Sequence, residues 1–159
     1  MELILLRHAD TLQNSGKDIN RALSVHGKKQ ANHLIHFFED RTEFLPDLIL
    51  CSTAIRARET IEPVIQNFNL KIEYLDRLYY TVIEDMVNLI ERQNTKKLMI
   101  VSHNPTISRL ANILYHGCIN PLENISDIFF TPSQMIIFEV EDLVNLNGLK
   151  KFKVLYESI

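Results

Sequence analysis

A chain of 159 residues, 46% hydrophobic and 23% charged, has the size and composition of one ordinary globular domain, which excludes disordered and fibrous classes. Its formal net charge of -3 supplies no basic excess for nucleic acid or anionic lipid, so neither is expected as a partner. Only four consecutive apolar residues precede Arg7, too few for a signal core or a membrane span, and Cys51 and Cys118 stand far apart without metal-type spacing; a cytoplasmic chain with reduced thiols is the expectation.

Glu2 to Leu6 is a short apolar run of the kind that forms a buried strand, and it leads straight into Arg7 and His8. Beyond Ser24, which suits a cap, Ala31, Leu34, Ile35, Phe37 and Phe38 recur at helical spacing. Asp47 to Cys51 repeats the strand pattern and opens onto Ser52, and a helix from about Ile55 to Asn67 follows, carrying Arg56. Lys71 to Tyr74 reads as a third strand and Ile83 to Arg92 as a helix. Leu98 to Val101 is a fourth strand, running into Ser102, His103 and Asn104, after which Pro105 suits the first turn of a helix reaching about Tyr115. Gln134 to Val140 and Lys151 to Tyr156 are β-rich and joined by a turn around Asn147-Gly148, which predicts a terminal hairpin. No repeat, low-complexity tract or linker marks a boundary. The expectation is therefore one three-layer α/β domain over residues 1–159, with a mostly parallel central sheet, helices on both faces and a C-terminal antiparallel hairpin.

Three strands thus end in polar residues: Arg7-His8, Ser52 followed by Arg56, and Ser102-His103-Asn104. Ligands of open parallel sheets bind at that carboxyl edge, so residues distant in sequence can converge there. Guanidinium forks match phosphate oxygens, and an imidazole serves as nucleophile or donor. Arg7 and Arg56 near His8 would disfavour imidazolium and keep the ring neutral, as an attacking nitrogen requires. Each residue also has a bland reading. Arg7-His8 could be a solvated strand end, His103 a turn residue, and Arg56 and Arg58 partners of Glu59 or Glu62 on a helix surface. His26, His33, His36 and His116 share no such placement and receive no role.

These residues resemble the histidine phosphatase superfamily, and within it the short phosphohistidine phosphatases of the SixA type. The opening Arg-His-Gly of that family is similar to Leu6-Arg7-His8-Ala9, and Leu-Thr-x-x-Gly-x-x-Gln-Ala to the segment from Leu23 and Ser24 through Gly27, Gln30 and Ala31. Ser-x-x-x-Arg-Ala-x-x-Thr is present from Ser52 through Arg56 and Ala57 to Thr60, and Gly-or-Ser-His-Asn-Pro as Ser102-His103-Asn104-Pro105. Phe130-Thr131-Pro132-Ser133 ahead of the hairpin also resembles the SixA type. The resemblance implies a phosphoglycerate mutase-like fold, phosphorylation of His8, and phosphate binding by Arg7, Arg56 and His103. It implies no metal and no other cofactor, because fixed cations supply the neutralisation.

Two departures bear on activity. Ala9 replaces the usual glycine, adding a methyl group beside the expected phosphate site, and would reduce activity if that glycine's backbone freedom is needed. Asp76 is the nearest match to the acidic residue of mutase-like members, with a solvated turn carboxylate as its plain alternative. The stretch from Tyr74 to Ile83 leaves no room for a cap insertion. The expected activity is metal-independent phosphatase chemistry on phosphohistidine in a protein. The alternatives are a small phosphomonoester as substrate, a non-catalytic phosphate-binding module, and an interaction domain without a pocket.

Overall fold

The computed structural model describes residues 1–13, 16–116 and 128–140, together with the strand backbone of 152–157. Six strands form one sheet in the order β3-β2-β4-β1-β5-β6: β1 Glu2–Arg7, β2 Leu48–Ser52, β3 Ile72–Leu75, β4 Lys97–Ser102, β5 Met135–Val140 and β6 Phe152–Glu157. β3, β2, β4 and β1 run parallel, while β5 pairs antiparallel with β1 and β6 antiparallel with β5. The expected terminal hairpin is therefore present as a strand pair, while the Asn147-Gly148 turn and Cys118 lie outside the described residues.

Helices α1 Val25–Asp40, α2 Ile55–Phe68, α3 Ile83–Glu91 and α4 Thr106–His116 cover both faces. Side chains of a strand alternate between faces, and the core divides accordingly. Leu3, Leu5, Leu98, Ile100 and Phe138 pack against Met86 and Ile90 of α3 and Leu110 and Leu114 of α4. Ile4, Leu6, Met99, Val101 and Ile137 pack against Leu34 and Phe38 of α1 and Ile61 and Val64 of α2. Burial on both faces is why these strands read as continuous apolar runs, each filled side chain contributing about 1.5–3 kcal/mol.

Ser24 caps α1, its hydroxyl accepting from the Gly27 amide at 2.9 Å, and Asn69 ends α2 in the left-handed conformation with φ 52°. α4 begins one residue later than the sequence suggests: Pro105 sits just outside it, and its carbonyl accepts the Arg109 amide at 3.0 Å. Among the described residues no helix is long and apolar enough to cross a membrane.

Candidate active site

Parallel pairing of β1 with β4 sets Arg7 opposite Ser102, so the next residue of each strand, His8 and His103, must emerge side by side. Their ring centroids are 5.1 Å apart. β2 lies on the other side of β4, with Cys51 opposite Val101, and this brings Ser52 to His103, Oγ to Nε2, at 2.8 Å. Arg56 follows from the first turn of α2. The four residues singled out in the sequence thus meet at one edge of the sheet, and three of them are nearly closed from water: His8 at 6%, Arg56 at 4% and His103 at 8% exposure. Such burial removes the surface-pairing reading of Arg56. Arg58, by contrast, is exposed, its guanidinium 4.9 Å from the Tyr74 ring centroid.

The hydrogen bonds assign the His8 tautomer. Nδ1 lies 2.8 Å from the Ala9 carbonyl oxygen, which can only accept, so Nδ1 carries the hydrogen and Nε2 keeps its lone pair. Burial first, then Arg56, Arg7 and Arg21, push the His8 pKa down to about 4, against the raising effect of the Ala9 hydrogen bond. The neutral ring expected from the arginines is present, but desolvation is the leading cause. Burial and then Arg56 likewise push His103 down to about 3. The Ser52 hydroxyl oxygen accepts the Ala54 amide at 3.3 Å and can donate its own hydrogen to His103 Nε2. In a neutral ring the proton then sits on Nδ1, which is buried without a protein partner among the described residues.

Three side chains that strand-end reasoning did not reach complete the site. Arg56 donates to the Asp18 carbonyl at 2.7 Å and to Asp18 Oδ2 at 2.9 Å. The Tyr79 hydroxyl donates to the same carboxylate oxygen at 2.7 Å, and Arg21 pairs with Oδ1 at 3.2 Å. The Tyr79 bond foremost, with the arginines, holds the Asp18 carboxyl below its ordinary range, while burial raises the Tyr79 phenol. Asp18 therefore stays a carboxylate that orients Arg56. It lies on a 3₁₀ turn, Asp18–Asn20, inside an excursion closed by a Thr11–Leu23 bridge. An Asp and an Arg three apart in a polar loop carry no signal of which distant guanidinium they meet. Arg7 Nε, Arg21 Nε and Arg56 Nε are buried without protein partners among the described residues.

The remaining motif positions are scaffolding for these groups. Thr60 accepts the Ala9 amide at 2.9 Å and donates to the Arg56 carbonyl at 2.6 Å, tying the neighbour of His8 to the helix that bears the arginine. Gln30 accepts the Asp10 amide at 2.9 Å and donates to the Pro132 carbonyl at 3.2 Å. Arg7 and Asn104 both donate to the Phe130 carbonyl, at 2.5 and 3.0 Å. Ser133, left-handed at φ 65°, turns its amide onto the His8 carbonyl at 3.1 Å.

Ala9 avoids the left-handed region, and its buried methyl packs with Leu23 and Ala31. The backbone freedom of glycine is not used here. Asp76 opens a 3₁₀ turn with its side chain exposed, away from the cleft that adjoins His103. That placement removes it as the acidic residue of the site. His26, His33 and His36 are exposed on α1, and Cys51 is a buried free thiol. Among the described residues no cluster of three or more His, Cys, Asp or Glu could hold a metal ion.

The chain is similar to several known proteins. Residues 3–79 match the histidine phosphatase superfamily (branch 1). The phosphohistidine phosphatase SixA homolog of Haemophilus influenzae is 28% identical over 134 residues, covering 77% of this chain and 81% of that protein. A crystal structure from Agrobacterium tumefaciens, named as a candidate phosphohistidine phosphatase SixA, superposes with a TM-score of 0.79 at 25% identity, covering 99% of this chain and 97% of that one. The alpha-ribazole phosphatase of Shigella flexneri shares the fold at a TM-score of 0.68 and 18% identity, over 90% of this chain and 92% of that one. Fold alone therefore does not select the phosphorylated substrate. With the motifs, the sheet order and these likenesses in agreement, the chain belongs to the histidine phosphatase superfamily and is of the SixA type.

Proposed function

We propose that the chain removes phosphate from phosphohistidine in a protein, with His8 as covalent nucleophile and Arg7, Arg56 and His103 holding the transferred group. The observation that carries this reading is the neutral His8 ring, its proton held on Nδ1 by Ala9 and its Nε2 free beside two arginines and His103. Partnerless guanidinium N–H groups and His103 Nδ1 around it are costly when buried. A phosphoryl group, rich in acceptor oxygens, would satisfy them.

In the first step the His8 Nε2 lone pair forms a bond to phosphorus as the substrate's P–N bond breaks. A phosphoimidazole protonated on its other nitrogen departs as neutral imidazole, so no enzyme acid is needed. This fits a site whose nearest carboxylate, Asp18, is held ionised. His8 keeps its Nδ1 proton and becomes a phosphoimidazolium. Water then forms a P–O bond as the P–Nε2 bond breaks, giving dihydrogen phosphate and the neutral ring. A protein substrate is favoured by the short connection from β3 to α3, residues 76–82, which leaves no room for a cap insertion in that stretch.

Trapping a labelled phosphoenzyme and locating the label by mass spectrometry without acid tests class and residue together. Label on His8, lost with turnover in a folded His8→Ala variant, is the expected result. Label elsewhere, or wild-type turnover by that variant, refutes the assignment. Sugar phosphates consumed much faster than a phosphohistidine protein would refute the substrate class.

A further inference from the structure

From Arg56 and His103 a cleft of about 400 Å³ opens between the loop Tyr79–Val82 and the start of α4. Its inner end is lined by Arg56 and His103, two of the residues proposed to hold the phosphoryl group, and His103 stands beside His8. Its outer wall has no part in the chemistry described above. Tyr80 is 82% exposed and Val82 60% exposed, large groups that folding alone would not leave in water at a cleft mouth. Opposite them stands Arg109, exposed, one turn along α4 from Thr106, which also lines the cleft. Arg109 has neither a hydrogen bond nor an ion pair to its side chain among the described residues. Among the described residues the one carboxylate lining the cleft, Asp18, is engaged by Arg56, Arg21 and Tyr79.

The walls are also fixed in place. Thr106 donates to the Thr81 carbonyl at 2.7 Å and Ser102 to the Leu78 carbonyl at 3.1 Å, joining α4 and β4 to the loop. Tyr80 donates to the Tyr79 hydroxyl at 3.3 Å, and the two rings lie 4.1 Å apart, centroid to centroid. A preordered aromatic and aliphatic wall facing a free guanidinium is the chemistry that anchors a peptide.

We infer that this cleft is the leaving-group subsite, taking a segment of the phosphorylated protein that carries an acidic side chain to Arg109 and an apolar one against Tyr80 and Val82. The inference rests on the phosphohistidine reading above and adds a selectivity to it. Charge complementarity names the occupant, since the free charge of the cleft is positive. One exposed pair of this kind changes affinity by about three- to fivefold, and reversing the charge roughly doubles the effect on a logarithmic scale.

The test is a charge-swap cycle on two peptides phosphorylated at a central histidine, one with glutamate flanks and one with lysine flanks. The wild type should show a KM about three- to tenfold lower on the glutamate peptide, and Arg109→Glu should erase or invert that preference. Tyr80→Ala should raise KM on both peptides several-fold with kcat little changed. Equal KM on the two peptides, or a preference that survives Arg109→Glu, overturns the subsite while leaving the phosphatase reading intact. No turnover of either peptide overturns the phosphohistidine reading and the subsite with it. A small carboxylated phosphomonoester with a lower KM than either peptide, lost in Arg109→Glu, overturns the assignment of a protein to the cleft.

Discussion

His8 illustrates how environment fits a common residue for the nucleophilic role proposed for it. Its Nδ1–H donates to the Ala9 carbonyl, and burial holds the ring neutral with a pKa of about 4. His103, at about 3, is neutral for the same first reason. Both rings should therefore keep their neutral nitrogen signatures in an NMR titration from pH 8 to pH 5, with the hydrogen of His8 on Nδ1. A midpoint near the unperturbed value of about 6.5 for His8 would contradict its desolvated setting. The identity of these residues was legible because each follows an apolar strand. Their protonation was legible only in direction: nearby arginines were foreseen, whereas the larger effect, desolvation, depends on burial of both rings, to 6% and 8% exposure, by segments distant in sequence. Asp18 was not legible at all. Its contact with Arg56 crosses 38 positions, and nothing in a polar loop names so distant a partner.

Among the elements, α1 decides where the backbone just after His8 can go. Ser24 donates to Asp10 Oδ2 at 2.5 Å while its amide donates to the Asp10 carbonyl at 3.0 Å. Gly27 allows this approach, because a Cβ there would stand 2.0 Å from the Asp10 carbonyl oxygen. The Leu23 to Ala31 motif is thus a clamp, and its glycine serves close contact, not a turn. Gly27→Ala should cost about 1–3 kcal/mol from enforced backbone displacement, lowering Tm by roughly 3–10 °C in a domain of this size. Because the displaced carbonyl is two residues from His8, kcat should fall as well. A variant with unchanged Tm and kcat would show that the helix yields without moving the loop. The elements themselves were legible to within a residue or two, since strands buried on both faces and amphipathic helices follow directly from composition and period. The Asp18–Asn20 and Asp76–Leu78 turns were not, being too short to impose a period.

For the whole molecule, burying two neutral imidazoles makes stability depend on pH. In the unfolded chain each histidine takes up a proton as pH falls through about 6.5, whereas in the folded chain His8 and His103 resist until about 4 and about 3. Between those limits the unfolded state binds more protons, so stability rises with pH there and falls on acidification. The expected loss is on the order of 1–2 kcal/mol per imidazole between pH 7 and pH 5. Asp18 acts lower. Its depressed carboxyl contributes stability above the unfolded value of about 3.9, lost as pH drops further. Urea unfolding at pH 7, 6 and 5 should show a falling midpoint at constant m-value. His8→Asn keeps a buried amide that can still donate to the Ala9 carbonyl, so it should reduce the pH dependence by about one proton's share. A midpoint that holds level from pH 7 to pH 5 in the wild type would mean that these rings are charged or solvated in the folded state, and the neutral nucleophile proposed for physiological pH would then lose its physical cause.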